Sequence, residues 1–99
     1  MAVDLITAPE EEEDIADAYA WYENHRPGLG EEFLSCVDAC IQGIRRAPEM
    51  HALVHQNYRR ALVRRFPYAI FYEHTAGTAT IYCVFHASRD PRQWRQRLP

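Results

Sequence analysis

The stretch RRALVRRFPYAIFYEH, residues 59–74, places Arg59, Arg60, Arg64 and Arg65 on an otherwise apolar run. Guanidinium groups are planar forks that grip phosphate and carboxylate oxygens two at a time, so these are the side chains best suited to binding an anion. The run itself reads as a β-hairpin, and an unpaired guanidinium is costly to bury. Either the arginines are solubilising edge residues, or one sheet face is built to meet something negative. Tyr68, Tyr72, Tyr82 and His86 follow in the next two strands, on faces that can align with the arginines.

Metal chemistry has weaker support. Cys36 and Cys40, and His51 and His55 of HALVH, are i, i+4 pairs, but zinc sites favour tighter pairs such as C-x-x-C. HALVH also lacks the Glu that a metalloprotease needs beside its first His. No metal and no cofactor are expected. The three cysteines, with Cys83, sit among apolar neighbours as reduced core thiols do.

The net charge of −3 hides an asymmetry. Residues 1–49 hold twelve acidic residues against Arg26, Arg45 and Arg46; residues 50–99 hold eight arginines against Glu73 and Asp90. Either the halves pair with one another, or a basic surface awaits an acidic partner. With 99 residues and 47% hydrophobic content, the chain fits one domain, residues 1–99. It has no apolar run of membrane-spanning length and no secretory signal, so a cytoplasmic protein without membrane association is expected.

Residues 2–6 alternate as a short strand. Thr7 and Glu10 form a capping box, with Pro9 in the first turn and Glu10 to Asp14 where the helix dipole favours acids. Ile15, Ala18, Tyr19 and Tyr22 continue an apolar helical face to about His25, and Pro27 and Gly28 end it. Gly30 is placed to cap a second helix with a buried stripe of Phe33, Leu34, Val37, Cys40, Ile41 and Ile44, closed by Pro48. PEMHALVHQN reads as a loop. Strands follow at about 58–65, 68–74 and 78–87, and Asp90 with Pro91 starts a short terminal helix carrying Trp94. The fold class is α+β: an N-terminal strand, a helical hairpin, a three-stranded antiparallel meander and a short C-terminal helix. With the hairpin on one sheet face, the other is left to solvent or a partner, and alternation sets Arg60, Leu62 and Arg64 against Arg59, Ala61, Val63 and Arg65.

The order of elements, with WYE…RPGLGEEF at 21–33, RRAPE, RRFPYAIFYE at 64–73 and VFHASRDPRQW at 84–94, resembles the RelE/ParE superfamily of toxins from bacterial type II toxin-antitoxin systems. The four motifs span nearly the whole chain. The resemblance implies a cognate antitoxin whose C-terminal segment lays itself over the toxin, contact with operator DNA only through that antitoxin, and a role of the kind known as plasmid stabilisation.

It also implies one of two targets. A RelE-like toxin cuts messenger RNA on the ribosome, which needs a base, an acid and cations for the phosphate; the candidates are His86, Tyr82 and Arg60, Arg64 and Arg89. The chain contains no lysine and has Trp94 where a C-terminal tyrosine is expected, which departs from that pattern. His86 also reads simply as a strand-end histidine bonded to Asp90 or to a backbone carbonyl. A ParE-like toxin poisons DNA gyrase and needs only a binding surface, for which the candidates are Arg60, Arg64, Arg65, Tyr72, Arg89, Arg92, Trp94 and Arg95. An inactive relative that binds only its antitoxin is the third reading. Gyrase ranks first.

Overall fold

In a computed structural model, which describes residues 3–99, the elements run β1 (Asp4–Thr7), α1 (Pro9–His25), α2 (Leu29–Arg46), β2 (Ala52–His55), β3 (Tyr58–Leu62), β4 (Tyr68–Thr75), β5 (Thr78–His86) and α3 (Pro91–Arg97). One five-stranded sheet has the order β1-β5-β4-β3-β2. Only the β1–β5 pair is parallel; the rest is an antiparallel meander. The α+β class holds. The meander has four strands where the sequence suggested three, because HALVH supplies the edge strand β2. The signal was weak for a physical reason. β2 has four residues, is mostly exposed and is irregular between Leu53 and His55, and it meets β3 through a Gln56–Asn57 turn in which Gln56 takes a positive φ of 50° without any glycine to announce it.

The helix starts also differ from expectation. Thr7 pairs with Ile81 in the sheet, so it cannot cap α1; the cap position falls to Ala8, which makes no side-chain capping bond. Of the expected strand at 2–6, Ala2 lies outside the described residues. At α2 the capping residue is Gly28 rather than Gly30, in the left-handed conformation at φ 89°. The orphan amides of this helix start are satisfied from the preceding helix, since Glu23 Oε1 accepts both Gly28 N–H (2.9 Å) and Gly30 N–H (2.8 Å). Gly30 is needed for closeness, because a Cβ there would stand 2.8 Å from Tyr19 and Glu23 side-chain carbons.

The helical hairpin packs on one sheet face. Phe33 is its hub, with Tyr22, Phe66 and Tyr68 ring centroids 5.1–5.4 Å away. Val37 and Ile44 continue that stripe over Ala61, Val63, Ile70, Tyr72 and Ile81. β3 ends at Leu62, short of the expected residue 65, because the chain turns to bring Phe66 into this core, with Val63 N–H bonded to Tyr68 O at 2.9 Å and Arg65 at φ 72°. Both strands of the last hairpin match expectation within a residue, and Ala76 and Gly77 make its turn with φ 51° and 78°. A bulge opposite Phe71 and Tyr72 lets Tyr82 and Cys83 join the same side of the sheet.

That second side is not bare. α3 lies across it, with Trp94 and Leu98 on Ala69, Phe71, Cys83 and Phe85. Burial pushes the Cys83 thiol up to about 12 and Cys40 up to about 11, which agrees with reduced core thiols. Two predictions come from this packing. Gly30→Ala is expected to lower stability by about 1–3 kcal/mol in urea unfolding, the range for an overpacked contact. Iodoacetamide at neutral pH is expected to leave Cys40 and Cys83 unmodified by mass spectrometry until denaturant is added, because it is the thiolate that reacts.

Candidate functional site

The structure decides which arginines face outward. Ala61 and Val63 are buried under the helical hairpin, so Arg59 lies on that side, where its Nη1 donates to the carbonyls of His51 (2.6 Å) and Glu49 (3.2 Å). Arg60 and Leu62 face the α3 side; Arg60 is exposed and Leu62 is 59% exposed. Arg64 and Arg65 occupy the β3–β4 turn. Arg65 pairs with Glu32 at 3.1 Å, and Glu32 also takes Arg26 at 2.8 Å. These pairs are well exposed, where the net gain is small.

Two expected contact residues are not on the surface. Tyr72 is fully buried beneath the helices, its hydroxyl donating to Pro48 O, and burial pushes its pKa to about 12. Even residues along β4 point into the hairpin core, so Tyr72 belongs to packing. Trp94 is only 7% exposed and stacks on Phe71, with centroids 4.5 Å apart and planes at 19°. The apolar side of a seven-residue helix had to be buried somewhere, and Trp94 is that side.

The arginines around α3 sit on this aromatic floor. Arg89 lies 4.7 Å from the Phe85 centroid, and Arg95 lies 5.3 Å from that of Trp94, within cation–π range. Arg92 is committed to Asp90 at 2.9 Å. Asp90 caps α3 as expected, accepting from Arg92 N–H, and the Arg92 side chain and this backbone bond hold its carboxyl below the ordinary 3.8. Among the described residues, Arg60, Arg64, Arg89 and Arg95 have no carboxylate within 4.0 Å. The charge asymmetry therefore has both of its readings at once: Glu32–Arg65 and Asp14–Arg97 join the acidic and basic halves, and among the described residues five arginines of the basic half, Arg59, Arg60, Arg64, Arg89 and Arg95, make no ion pair with an acid, Arg59 bonding backbone carbonyls instead.

Of the nuclease candidates, His86 and Arg89 share a cleft, but Tyr82, Arg60 and Arg64 lie elsewhere. Tyr82 hydroxyl donates to Glu73 Oε1 at 3.3 Å, and burial followed by the charge of Glu73 raises its pKa. His86 is four residues further along β5, about 13 Å at the usual strand rise. Its Nδ1 accepts from Ser88 N–H at 3.1 Å and lies 2.7 Å from Ser88 Oγ; Asp90, the partner expected for it, is engaged by Arg92. Arg64 is in the turn after β3. No base, acid and cation share a substrate-sized space in this set.

A cleft of about 560 Å³ does form between α1 and the end of β5, lined by Asp17, Trp21, Tyr68, His86 and Arg89 among others. Its α1 wall is hard to see in the sequence, where the acidic run has the pattern of a helix start. Asp14, Asp17, Ala18 and Trp21 recur at helical spacing, a signal that was available. At the base, Asp14 Oδ2 accepts Val84 N–H at 3.0 Å while both its oxygens take the Arg97 fork at 3.0 and 3.1 Å. Val84 lies beyond the end of β1, so its outward amide would otherwise have no strand partner. Among the described residues, no three His, Cys, Asp or Glu side chains converge as a metal site, and no helix is long and apolar enough to cross a membrane.

No family model matches the chain. In sequence it is 28% identical over 81 residues to Toxin ParE2 of Mycobacterium tuberculosis, strains CDC 1551 and H37Rv alike, covering 81% of this chain and 77% of the relative. In structure it is similar to a chain of the chromosomal ParDE TA system from P. aeruginosa, with a TM-score of 0.77 at 11% identity, covering 88% of this chain and 98% of the other. The described fold follows the order expected from the motifs except for the added edge strand β2.

The junction of α1, β5 and α3 is open to test. Asp14→Asn removes one side of a mostly buried charged fork and is expected to cost about 2–3 kcal/mol in urea unfolding. Acid should loosen α3 through Asp90. Its folded pKa lies below the unfolded value, so its contribution is fully present above pH 3.8 and is lost as the pH falls through the folded value. Trp94 emission should shift to the red over that window in the wild type, and Asp90→Asn should remove the transition.

Proposed function

We propose that this member of the RelE/ParE superfamily, ParE-like in sequence and fold, is the toxin of a type II toxin-antitoxin pair that poisons DNA gyrase in the cytoplasm and is silenced by a cognate antitoxin. The observation that carries this choice of target is the scatter of the nuclease candidates. Tyr82 is held by Glu73, with its proton retained, about 13 Å along the strand from His86, and Arg64 is in a separate turn. A poison needs no such constellation. It needs a surface, and Arg60, Arg64, Arg89 and Arg95 provide one without acidic partners in this chain. Trp94 and Tyr72 leave the contact list; Arg65 and Arg92 stay on it as exposed residues that would exchange an internal carboxylate for an external one. An acidic antitoxin segment meeting the same arginines would cover that surface, folding as it binds. The antitoxin's own DNA-binding part would make any operator contact.

One arrangement favours the second reading, ribosome-dependent cleavage of mRNA. His86 and Tyr68 rings stand 5.3 Å apart in the cleft that Arg89 also lines. A nuclease would keep His86 and Arg89 of the expected set and use Tyr68 in place of Tyr82. The purified chain is expected to inhibit supercoiling by gyrase and to trap cleaved DNA, with Arg60→Ala/Arg64→Ala weakening both at least tenfold. Cleavage of mRNA that appears only with ribosomes and is lost in His86→Gln would replace gyrase by the ribosome. Expression without growth arrest would leave an inert antitoxin partner.

A further inference from the structure

We infer that the α3 side of the sheet is a contact surface for the phosphate backbone of duplex DNA, a direct interaction that does not pass through a protein partner. The inference rests on the gyrase reading only in choosing DNA over RNA. Its physical content comes from how the cations on this side are held.

The helical hairpin and its acids lie on the opposite face of the sheet, whose core is separate from the one under α3. On the α3 side, Arg60, Arg89, Arg92 and Arg95 are all exposed. The acids there are Glu73, which accepts from Tyr82, and Asp90, which is occupied by Arg92; Asp17 of α1 faces Arg89 across the cleft. A chain of net negative charge thus has a face with an excess of positive charge, and polyanions read the local field rather than the total. Arg97 adds no free charge, because Asp14 takes both arms of its fork.

Two of these arginines are also pre-positioned. Arg89 rests over Phe85 and Arg95 over Trp94, so less side-chain freedom is lost when a phosphate arrives. The same geometry selects the form of nucleic acid. Binding of single strands relies on aromatic faces that stack on unpaired bases. Here Phe71, Phe85 and Trp94 are all buried, and the latter two are roofed by guanidinium groups. What is offered outward is charge without a stacking platform, which suits a duplex whose bases are already stacked and whose outer surface is phosphate. Binding on this surface should be independent of base sequence.

The test is fluorescence anisotropy of a labelled 30-base-pair duplex titrated with the purified chain, without gyrase, from 50 to 200 mM salt. Three phosphate contacts predict a log–log salt slope of about −2.7. Arg60→Ala/Arg89→Ala/Arg95→Ala is expected to weaken binding at least tenfold at 50 mM salt and flatten the slope, while Arg46→Ala, an exposed arginine on α2, changes neither. Because Arg89 and Arg95 also pack on aromatic rings, Arg60→Glu alone, at an exposed side chain with no hydrogen bond, ion pair or cation–π contact among the described residues, should give a several-fold loss with an unchanged circular dichroism spectrum. The inference is overturned by no binding at 50 mM salt, by tighter binding of single-stranded DNA or RNA than of the duplex, or by Arg46→Ala weakening binding as much as the triple change. Inhibition of gyrase by a chain that fails to bind the duplex would sink this inference and leave the proposed target standing.

Discussion

Asp14 holds three elements at one point. β1 is only four residues long and stops opposite Ile81, so the far half of β5 would be a sheet edge with an unpaired amide at Val84. A carboxylate from α1 fills that place, and its remaining capacity takes the Arg97 fork that brings the end of α3 down. A buried amide without an acceptor costs free energy comparable to a lost hydrogen bond, and a largely buried guanidinium without its partner costs more. Each of the three groups is there because the other two are. The position of α1 across the sheet, the floor of the cleft and the seat of α3 all derive from this one junction.

From that junction the two faces of the sheet take different characters. The hairpin side is an aromatic core around Phe33, closed by a glycine at position 30 that lets α1 and α2 approach. The α3 side is thinner, built on the Trp94–Phe71 stack, with Arg95 lying over Trp94 and Arg89 over Phe85. A short helix cannot bury enough apolar surface to hold itself; it relies on its Asp90 cap, the Asp14 fork and the Tyr58 hydroxyl bonded to Pro99 O at 2.7 Å. Polar anchoring of an element with little core of its own is therefore what keeps the cationic face assembled.

Much of this order could be read from residue types. Ile15 to Tyr22 and Phe33 to Ile44 repeat at helical spacing, Gly77 marks a tight turn, and Asp90-Pro91 marks a helix start, because in each case the local signal and the tertiary demand agree. The failures fall where they conflict. Thr7 has capping chemistry but is needed for sheet pairing, so the helix begins without a side-chain cap. β2 is an edge strand with one neighbour, and its alternation is too short to show. The arginine alternation on β3 was correctly seen to oppose Arg60 to Arg59, yet only the burial of Ala61 and Val63 decides which is outward. Trp94 is buried against expectation, because a single aromatic in a polar, arginine-rich segment carries no periodic signal of the surface it covers. Asp14 was hidden by its neighbours, one acid in a run of five.

The order of strands in the sheet has a consequence for biosynthesis. β5, emerging next to last among the strands and helices, is the one that must slot between β1, made some 74 residues earlier, and β4. Long-range pairing of this kind forms only after its loop-closure entropy has been met. Until that strand is made, the hairpin has only β2 to β4 to cover and lacks the junction that seats α3. The arginine-bearing α3 side is thus complete only once β5 and α3 have both been made.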